Sequence, residues 1–191
     1  KYREDKIRCF NKEEAMKEII KDGLVQSVVW NKLYKRGLID NLRFKVGKLN
    51  EDEFFTFKIC AKAERIVYVP ESLYQYRQRE KSIMATYKLQ RIDGVEALYE
   101  RMNFIKNKFP QLYTVEKLGF CYECIYHYQM LLVNNILDKQ AKNTLIRYRK
   151  SIDFSLKDFI KYSLKDKIYI CLSWISLGIC CKLRNRLKIG Y

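Results

Sequence analysis

Apolar residues recur with a helical period along most of this chain. Ala15, Met16, Ile19 and Ile20 form one stripe. It is opened by Asn11 with Glu14 three residues on, the side-chain pair of a capping box, and closed at Asp22-Gly23. Ser27-Val28-Val29-Trp30 is a short apolar run that reads as extended, leading into a short helix that stops near Gly37. Leu42 to Val46 alternates apolar and basic residues, and Gly47 turns the chain. Asn50 then stands as an N-cap, with Glu53 at the third helical position. The helix that follows carries Phe54, Phe57 and Ala61 on one face and Phe55 and Ile59 on a second, the pattern of a helix packed on both sides.

Arg65 to Val69 is β-branched, aromatic and short, the best strand in the sequence, and Pro70-Glu71 breaks it. Leu73 to Arg79 predicts a second strand, in which Gln75, Arg77 and Arg79 share a face because side chains alternate with period two. From about Thr86 the pattern is helical throughout. The predicted helices are Leu89 to Lys108 (ended by Phe109-Pro110), Tyr113 to Leu137, Gln140 to Ser151, Leu156 to Lys165 and Ile168 to Leu187. No internal repeat emerges. The expected fold is α/β and helix-rich, with a partial sheet region in residues 1–85 and a helical subdomain in 86–191.

Composition fits that reading. Hydrophobic residues make up 48% of the 191, enough for a packed core, while 7 Gly and 2 Pro leave few helix breakers. Lys and Arg number 38 against 22 Asp and Glu, a formal charge of +16, which points to an anionic partner: nucleotide phosphates, nucleic acid or an acidic membrane surface. Seven scattered Cys, two of them adjacent at Cys180-Cys181, read as thiols of a reducing, cytoplasmic compartment. Lys1 to Arg8 is charged and does not resemble a signal peptide, and the first residue is not Met, so the chain is expected to be a truncated form.

Four features are candidates for chemistry. Glu51, Asp52 and Glu53 open a helix, where acids favour the positive end of the helix dipole. A second reading makes Asp52 a general base facing a cleft. The helix terminus would lower its pKa, whereas burial or acidic neighbours would raise it. Arg77 and Arg79, roughly 6.6 Å apart along a strand face, could grip a diphosphate or could instead guard a solvated sheet edge. Cys121-x-x-Cys124-x-x-His127 has metal-like spacing, but it sits in an aromatic helical run without a second ligand pair, and helical core cysteines are the better reading. Ile168 to Cys181 is uncharged and flanked by Lys165, Lys167, Lys182, Arg184, Arg186 and Lys188. It is too short to span a bilayer and suits either a membrane interface or a helix docked on the core. No glycine-rich nucleotide loop and no G-x-S-x-G elbow occurs.

Residues 27 to 84 resemble the second half of bacterial family 2 glycosyltransferases, GT-A-fold enzymes of surface polysaccharide assembly. The resemblance rests on Val29-Trp30-Asn31-Lys32-Leu33, on Phe44-x-x-Gly47 followed by Glu51-Asp52, and on Tyr74-x-Tyr76-Arg77-x-Arg79-x-x-Ser82-Ile83. It implies an inverting transferase moving a sugar from a nucleotide-sugar donor to a saccharide or lipid-linked acceptor. Asp52 would be the catalytic base, with Glu51 beside it in the acid pair. Arg77 and Arg79 would contact the donor phosphates, and Trp30 would border the acceptor. Residues 1–85 would then be the acceptor-side part of a GT-A-like catalytic domain. Mg²⁺ or Mn²⁺ is expected in the complete enzyme, held by a D-x-D motif that does not occur here, so this stretch alone is expected to be inactive. A peripheral membrane contact through 165–188 would suit a lipid-linked acceptor. The alternative, a basic helical nucleic-acid-binding module, needs Lys and Arg clustered on one face. They are spread along the chain instead, and nucleic acid is not an expected partner.

Overall fold

The computed structural model describes residues 4–75, 77 and 86–190. It is helix-rich, with a small antiparallel sheet of two strands among the described residues. The sheet pairs β1 (Arg8–Phe10) with β2 (Ile66–Tyr68), aligning Arg8 with Tyr68 and Phe10 with Ile66. The expected strand at 65–69 is therefore present, and it pairs with a segment where no strand was expected. Leu73 to Gln75 and Arg77 lie outside any strand, and Leu73 is exposed, so no apolar face holds that stretch against a sheet. Arg79 lies outside the described residues. β1 is three residues long and sits in a charged segment, which gives it no periodicity to read. What places it is Phe10, buried with Ala15, Ile19, Val25 and Cys60.

Helix α1 (Lys12–Ile20) has the expected capping box: Asn11 Oδ1 accepts from the Glu13 and Glu14 amides at 2.9 and 3.0 Å, and the Asn11 amide donates to Glu14 Oε2 at 2.9 Å. A Cβ at Gly23 would come within 2.2 Å of Glu18 Oε2, so a larger residue there would displace that carboxylate. That carboxylate accepts from the Leu24 amide and folds the chain back. From residue 21 to 50 regular structure is sparse. Ser27 to Trp30 is irregular rather than a strand, and the short helix α2 (Arg36–Ile39) contains Gly37 instead of stopping at it.

The second half is a helical assembly of α4 (Ile92–Lys108), α5 (Tyr113–Val133), α6 (Lys139–Lys150), α7 (Leu156–Lys161), α8 (Leu164–Ile175) and α9 (Leu177–Arg186). α5 is the central helix and packs on α4, α6 and α9 around Met102, Phe120, Cys124, Ile125, Leu131 and Leu145. Two predicted helices, 156–165 and 168–187, are in fact three. The sequence Ser-Leu-Lys-Asp occurs twice, at 155–158 and 163–166, and each copy forms a capping box. Ser176 ends α8 in extended conformation and caps α9. Helix α3 (Glu51–Lys62) packs on both α1 and α4, with Phe54, Phe55, Phe57 and Ile59 all buried and Phe57 clustered with Met16, Ile105, Phe109 and Leu112. That is the two-sided burial its apolar pattern implied.

Candidate functional site at the start of helix α3

The turn that leads into α3 is built by backbone and charge. Gly47 takes a positive φ of 76°, which suits a residue without Cβ. Lys48 Nζ reaches Asp93 Oδ1 at 2.9 Å and Glu96 Oε2 at 2.8 Å, and Lys45 Nζ reaches Glu100 Oε2 at 2.7 Å while sitting 4.0 Å over the Phe54 ring. The Leu49 amide donates to Asp93 Oδ2 at 3.1 Å. Phe44 stacks on Phe55 with ring centroids 4.2 Å apart. The apolar-basic alternation of 42–46 thus serves as a brace, with Phe44 turned to α3 and Lys45 to α4.

Asn50 does not cap the helix. It adopts left-handed backbone (φ 60°, ψ 44°) and its side chain makes no capping bond; a Cβ on Gly94 would meet its Oδ1 at 3.5 Å. The expected capping box through Glu53 is absent for a tertiary reason, since Glu53 Oε2 accepts from Ser27 Oγ at 2.8 Å and faces Arg101 Nη1 at 3.4 Å. Arg101 in turn donates from Nε to the buried carboxylate of Glu116 at 2.8 Å.

The three acids therefore have different surroundings. Glu51 is exposed. Glu53 is engaged by Ser27 and Arg101. Asp52 is half-buried, and its Oδ1 accepts from the Glu53 amide of its own helix turn at 3.0 Å. Burial is the largest influence on Asp52, followed by the charges of Glu53 and Glu51, and together these raise its pKa above the usual aspartate value despite two backbone amides that oppose the shift. The two tendencies left open by the sequence are decided here in favour of burial and acidic neighbours.

Lys32 lies in the same region. Burial lowers its pKa to about 8, and the nearby Cys60, Asp52 and Glu53 counter part of that shift. Its ammonium group donates to the Val28 carbonyl and, at 2.8 Å, to Asn31 Oδ1. Nearby, Thr56 Oγ1 donates to the Ser27 carbonyl. Ser27 thus fastens the Trp30-Asn31-Lys32 segment to α3 by both its hydroxyl and its carbonyl. Trp30 and Tyr74 form a tilted ring pair, with centroids 4.5 Å apart and exposures of 43% and 51%. Arg77 is exposed; its geometry with Arg79 lies outside the described residues.

Among the described residues no group of three or more His, Cys, Asp or Glu is placed to hold a metal ion. The surroundings of Glu51, Asp52 and Glu53 agree, since the three do not converge. Cys121 and Cys124 are buried in α5, and His127 Nδ1 lies 2.7 Å from the Tyr87 hydroxyl. Burial is the main cause that pushes His127 down to about 4, keeping it neutral. A groove of about 530 Å³ between α4 and α6 is lined by Glu96, Tyr99, Glu100, Asn103, Arg147 and Tyr148, and does not include Asp52.

Sequence reasoning missed Ser27, Lys32, Tyr74 and Arg101 as parts of this site. Lys32 and Tyr74 lay inside motifs already singled out, but nothing in the spacing showed that Tyr74 meets Trp30 or that Lys32 neighbours Asp52. Arg101 gave no signal, since its role needs α4 to lie on α3.

No family model matches the chain, and no solved structure matches it. Two curated proteins do. The chain is 32% identical over 104 residues to a protein named glycosyltransferase GlyA of Streptococcus pneumoniae serotype 4 (strain ATCC BAA-334 / TIGR4), covering 54% of this chain and 15% of that protein. It is 36% identical over 94 residues to a protein provisionally named glycosyltransferase EpsH of Bacillus subtilis (strain 168), covering 47% of this chain and 27% of that protein. The chain thus matches a minor part of each relative's length, and its similarity is to glycosyltransferases.

Proposed function

We propose that this chain forms the acceptor side of an inverting glycosyltransferase of the family 2, GT-A type, acting in surface polysaccharide synthesis. The observation that carries the reading is the separation of the three acids: Glu53 is engaged by Ser27 and Arg101, Glu51 is in solvent, and Asp52 is half-buried with its pKa raised by burial and its acidic neighbours. A general base acts best when its pKa approaches the working pH, and a raised aspartate moves in that direction. The similarity to two proteins named glycosyltransferases supports the same reading.

In this mechanism Asp52 accepts the proton of an acceptor hydroxyl while that oxygen attacks the anomeric carbon of a nucleotide sugar. The bond to the nucleoside diphosphate breaks on the opposite face, so the anomeric configuration inverts. Glu51 and Glu53 hold the Asp52 pKa up, and Lys32 supplies a nearby positive charge. Trp30 and Tyr74 offer a ring surface for a sugar face of the saccharide or lipid-linked acceptor. Arg77, and Arg79 by the sequence motif, contact the donor phosphates. Mg²⁺ or Mn²⁺ would assist departure of the diphosphate in the complete enzyme; the acids at α3 do not fit such an ion, and no step here runs through one. The reading also gives residues 165–188 a peripheral contact with a membrane.

The test is Asp52→Asn in the complete gene product, followed by release of nucleoside diphosphate from a panel of nucleotide sugars. Turnover should fall about 10²–10⁴-fold while donor binding, read by calorimetry, is retained. Near-normal turnover would refute the assignment.

A further inference from the structure

We propose that the outer face of the α8–α9 pair is a docking surface for the anionic interface of a lipid bilayer, on which the two helices lie without crossing it. The inference deepens the peripheral contact proposed above and does not depend on the transferase reading.

The first observation is which residues face out. On α8, Leu164, Ile168 and Ile175 are exposed at helical spacing, and Trp174 beside them is 59% exposed. On α9, Ile179, Leu183 and the capping Leu187 continue the pattern every fourth residue. The opposite sides are buried: Ile170 and Ser173 of α8, and Leu177, Cys180 and Cys181 of α9, face the core. Each helix is thus apolar on both sides, and the core uses only one. α9 packs on α8 and α5, so the pair is firmly seated on the helical core. Arg149 strengthens that seat, donating to Ser173 Oγ at 2.7 Å and to the Ile170 carbonyl at 2.6 Å.

The second observation is charge. From Lys167 to the last residue the chain has no Asp or Glu, and its charged residues are Lys167, Lys182, Arg184, Arg186 and Lys188. Arg184 is taken up by Gln129 and the Tyr169 ring. Lys182, Arg186 and Lys188 are exposed, as is Lys165 at the start of α8. The last acid before this stretch, Asp166, is occupied by the Ser163 cap and the Tyr122 hydroxyl. Exposed aliphatic side chains with cations and no acids match an anionic bilayer interface, where apolar residues enter the acyl boundary and Lys and Arg meet headgroups. A second copy of the chain would set the same cations against these. Nucleic acid would leave the Ile and Leu side chains without an apolar partner. Trp suits the interfacial zone.

The third observation is length. α8 has 12 residues and α9 has 10, separated by the extended Ser176, and no helix among the described residues is long and apolar enough to cross a membrane. Lying in the interface is the arrangement left for such a pair.

The experiment is co-sedimentation of the 191-residue chain with phosphatidylcholine vesicles, with and without phosphatidylglycerol. Binding is expected only with the anionic lipid. Ile175→Glu with Ile179→Glu, and separately Lys182→Glu with Lys188→Glu, should each weaken it on the order of tenfold or more. All these positions are exposed, so thermal unfolding of the variants should match the parent. In a Trp30→Phe background Trp174 is the remaining tryptophan, and its emission should shift to the blue on anionic vesicles. Equal binding to both lipids, unchanged binding by both double variants, or an unshifted Trp174 would overturn the proposal. So would self-association without vesicles, or retention of RNA, that the Ile variants abolish. Asp52→Asn should bind vesicles as the parent does, so failure of the catalytic reading leaves this result unaffected.

Discussion

The Ser27 hydroxyl donates to the Glu53 carboxylate at 2.8 Å, joining two motifs that lie 26 residues apart in the chain. One contains Trp30 and Lys32 and the other contains Asp52. The neighbouring Thr56 hydroxyl donates to the Ser27 carbonyl, so Ser27 ties the irregular 27–32 segment to α3 through both its side chain and its backbone.

Removing that link should loosen the site before it loosens the fold. Glu53→Ala should cost about 1–2 kcal/mol of stability, the scale of a partly buried hydrogen bond left unmade. In urea titration the midpoint should fall with little change in slope, and Trp30 fluorescence should report a more mobile environment. An unchanged midpoint would show that the Ser27 and Arg101 contacts do not hold in solution.

Arg101 should matter more. It is buried against Glu116, whose side chain is almost wholly enclosed. Truncating one partner of a buried pair leaves the other charged and unsolvated, so Arg101→Ala should cost about 3–5 kcal/mol. Chemical denaturation checks this, and a loss below 1 kcal/mol would show that Glu116 is screened by water.

Asp52 gives a pH prediction with a definite sign. Its folded pKa lies above the ordinary value of 3.8. Between those two values the folded state binds more proton than the unfolded state, so stability falls as pH rises through that window and stays lower above it. Asp52→Asn should abolish this dependence and leave the protein as stable as the parent, or more so, at neutral pH. The acidic limb of a pH–rate profile should lie above that of an ordinary aspartate, because the base works only when deprotonated.

His127 should behave in the opposite sense. It is the single His of the chain, and burial holds its folded pKa to about 4, below its usual 6.5. The Tyr87 hydroxyl, the Glu123 carboxylate 3.6 Å from Nε2, and Arg91 face it. As pH falls from about 6.5 to about 4 the unfolded state gains a proton that the folded state does not, so stability should drop by up to a few kcal/mol. Its lone imidazole resonance makes the titration directly readable by NMR. A midpoint near 6.5 would mean that water reaches the ring.

The sequence by itself determined the helices that carry their own signals. α1 was legible because Asn11 and Glu14 form a local box, and α3 because its apolar residues repeat on two faces. β2 was legible from its β-branched run. The acid triplet and the aromatic and basic motifs around it were visible as residue types at fixed spacing. What the sequence did not determine was everything requiring two distant segments at once. β1 exists because Phe10 is buried beside Cys60, and a strand of three residues has no period of its own. The Asn50 cap failed because Asp93 and Ser27, both far along the chain, offered the turn and Glu53 better partners than each other. The break at Ser163 was written locally in a repeated Ser-Leu-Lys-Asp, a signal hidden by the apolar pattern on either side. The choice among the three acids was likewise tertiary. A carboxylate's pKa depends on how much water and which charges surround it, and those surroundings are set only once α3 lies between α1 and α4 with the Ser27 loop against it.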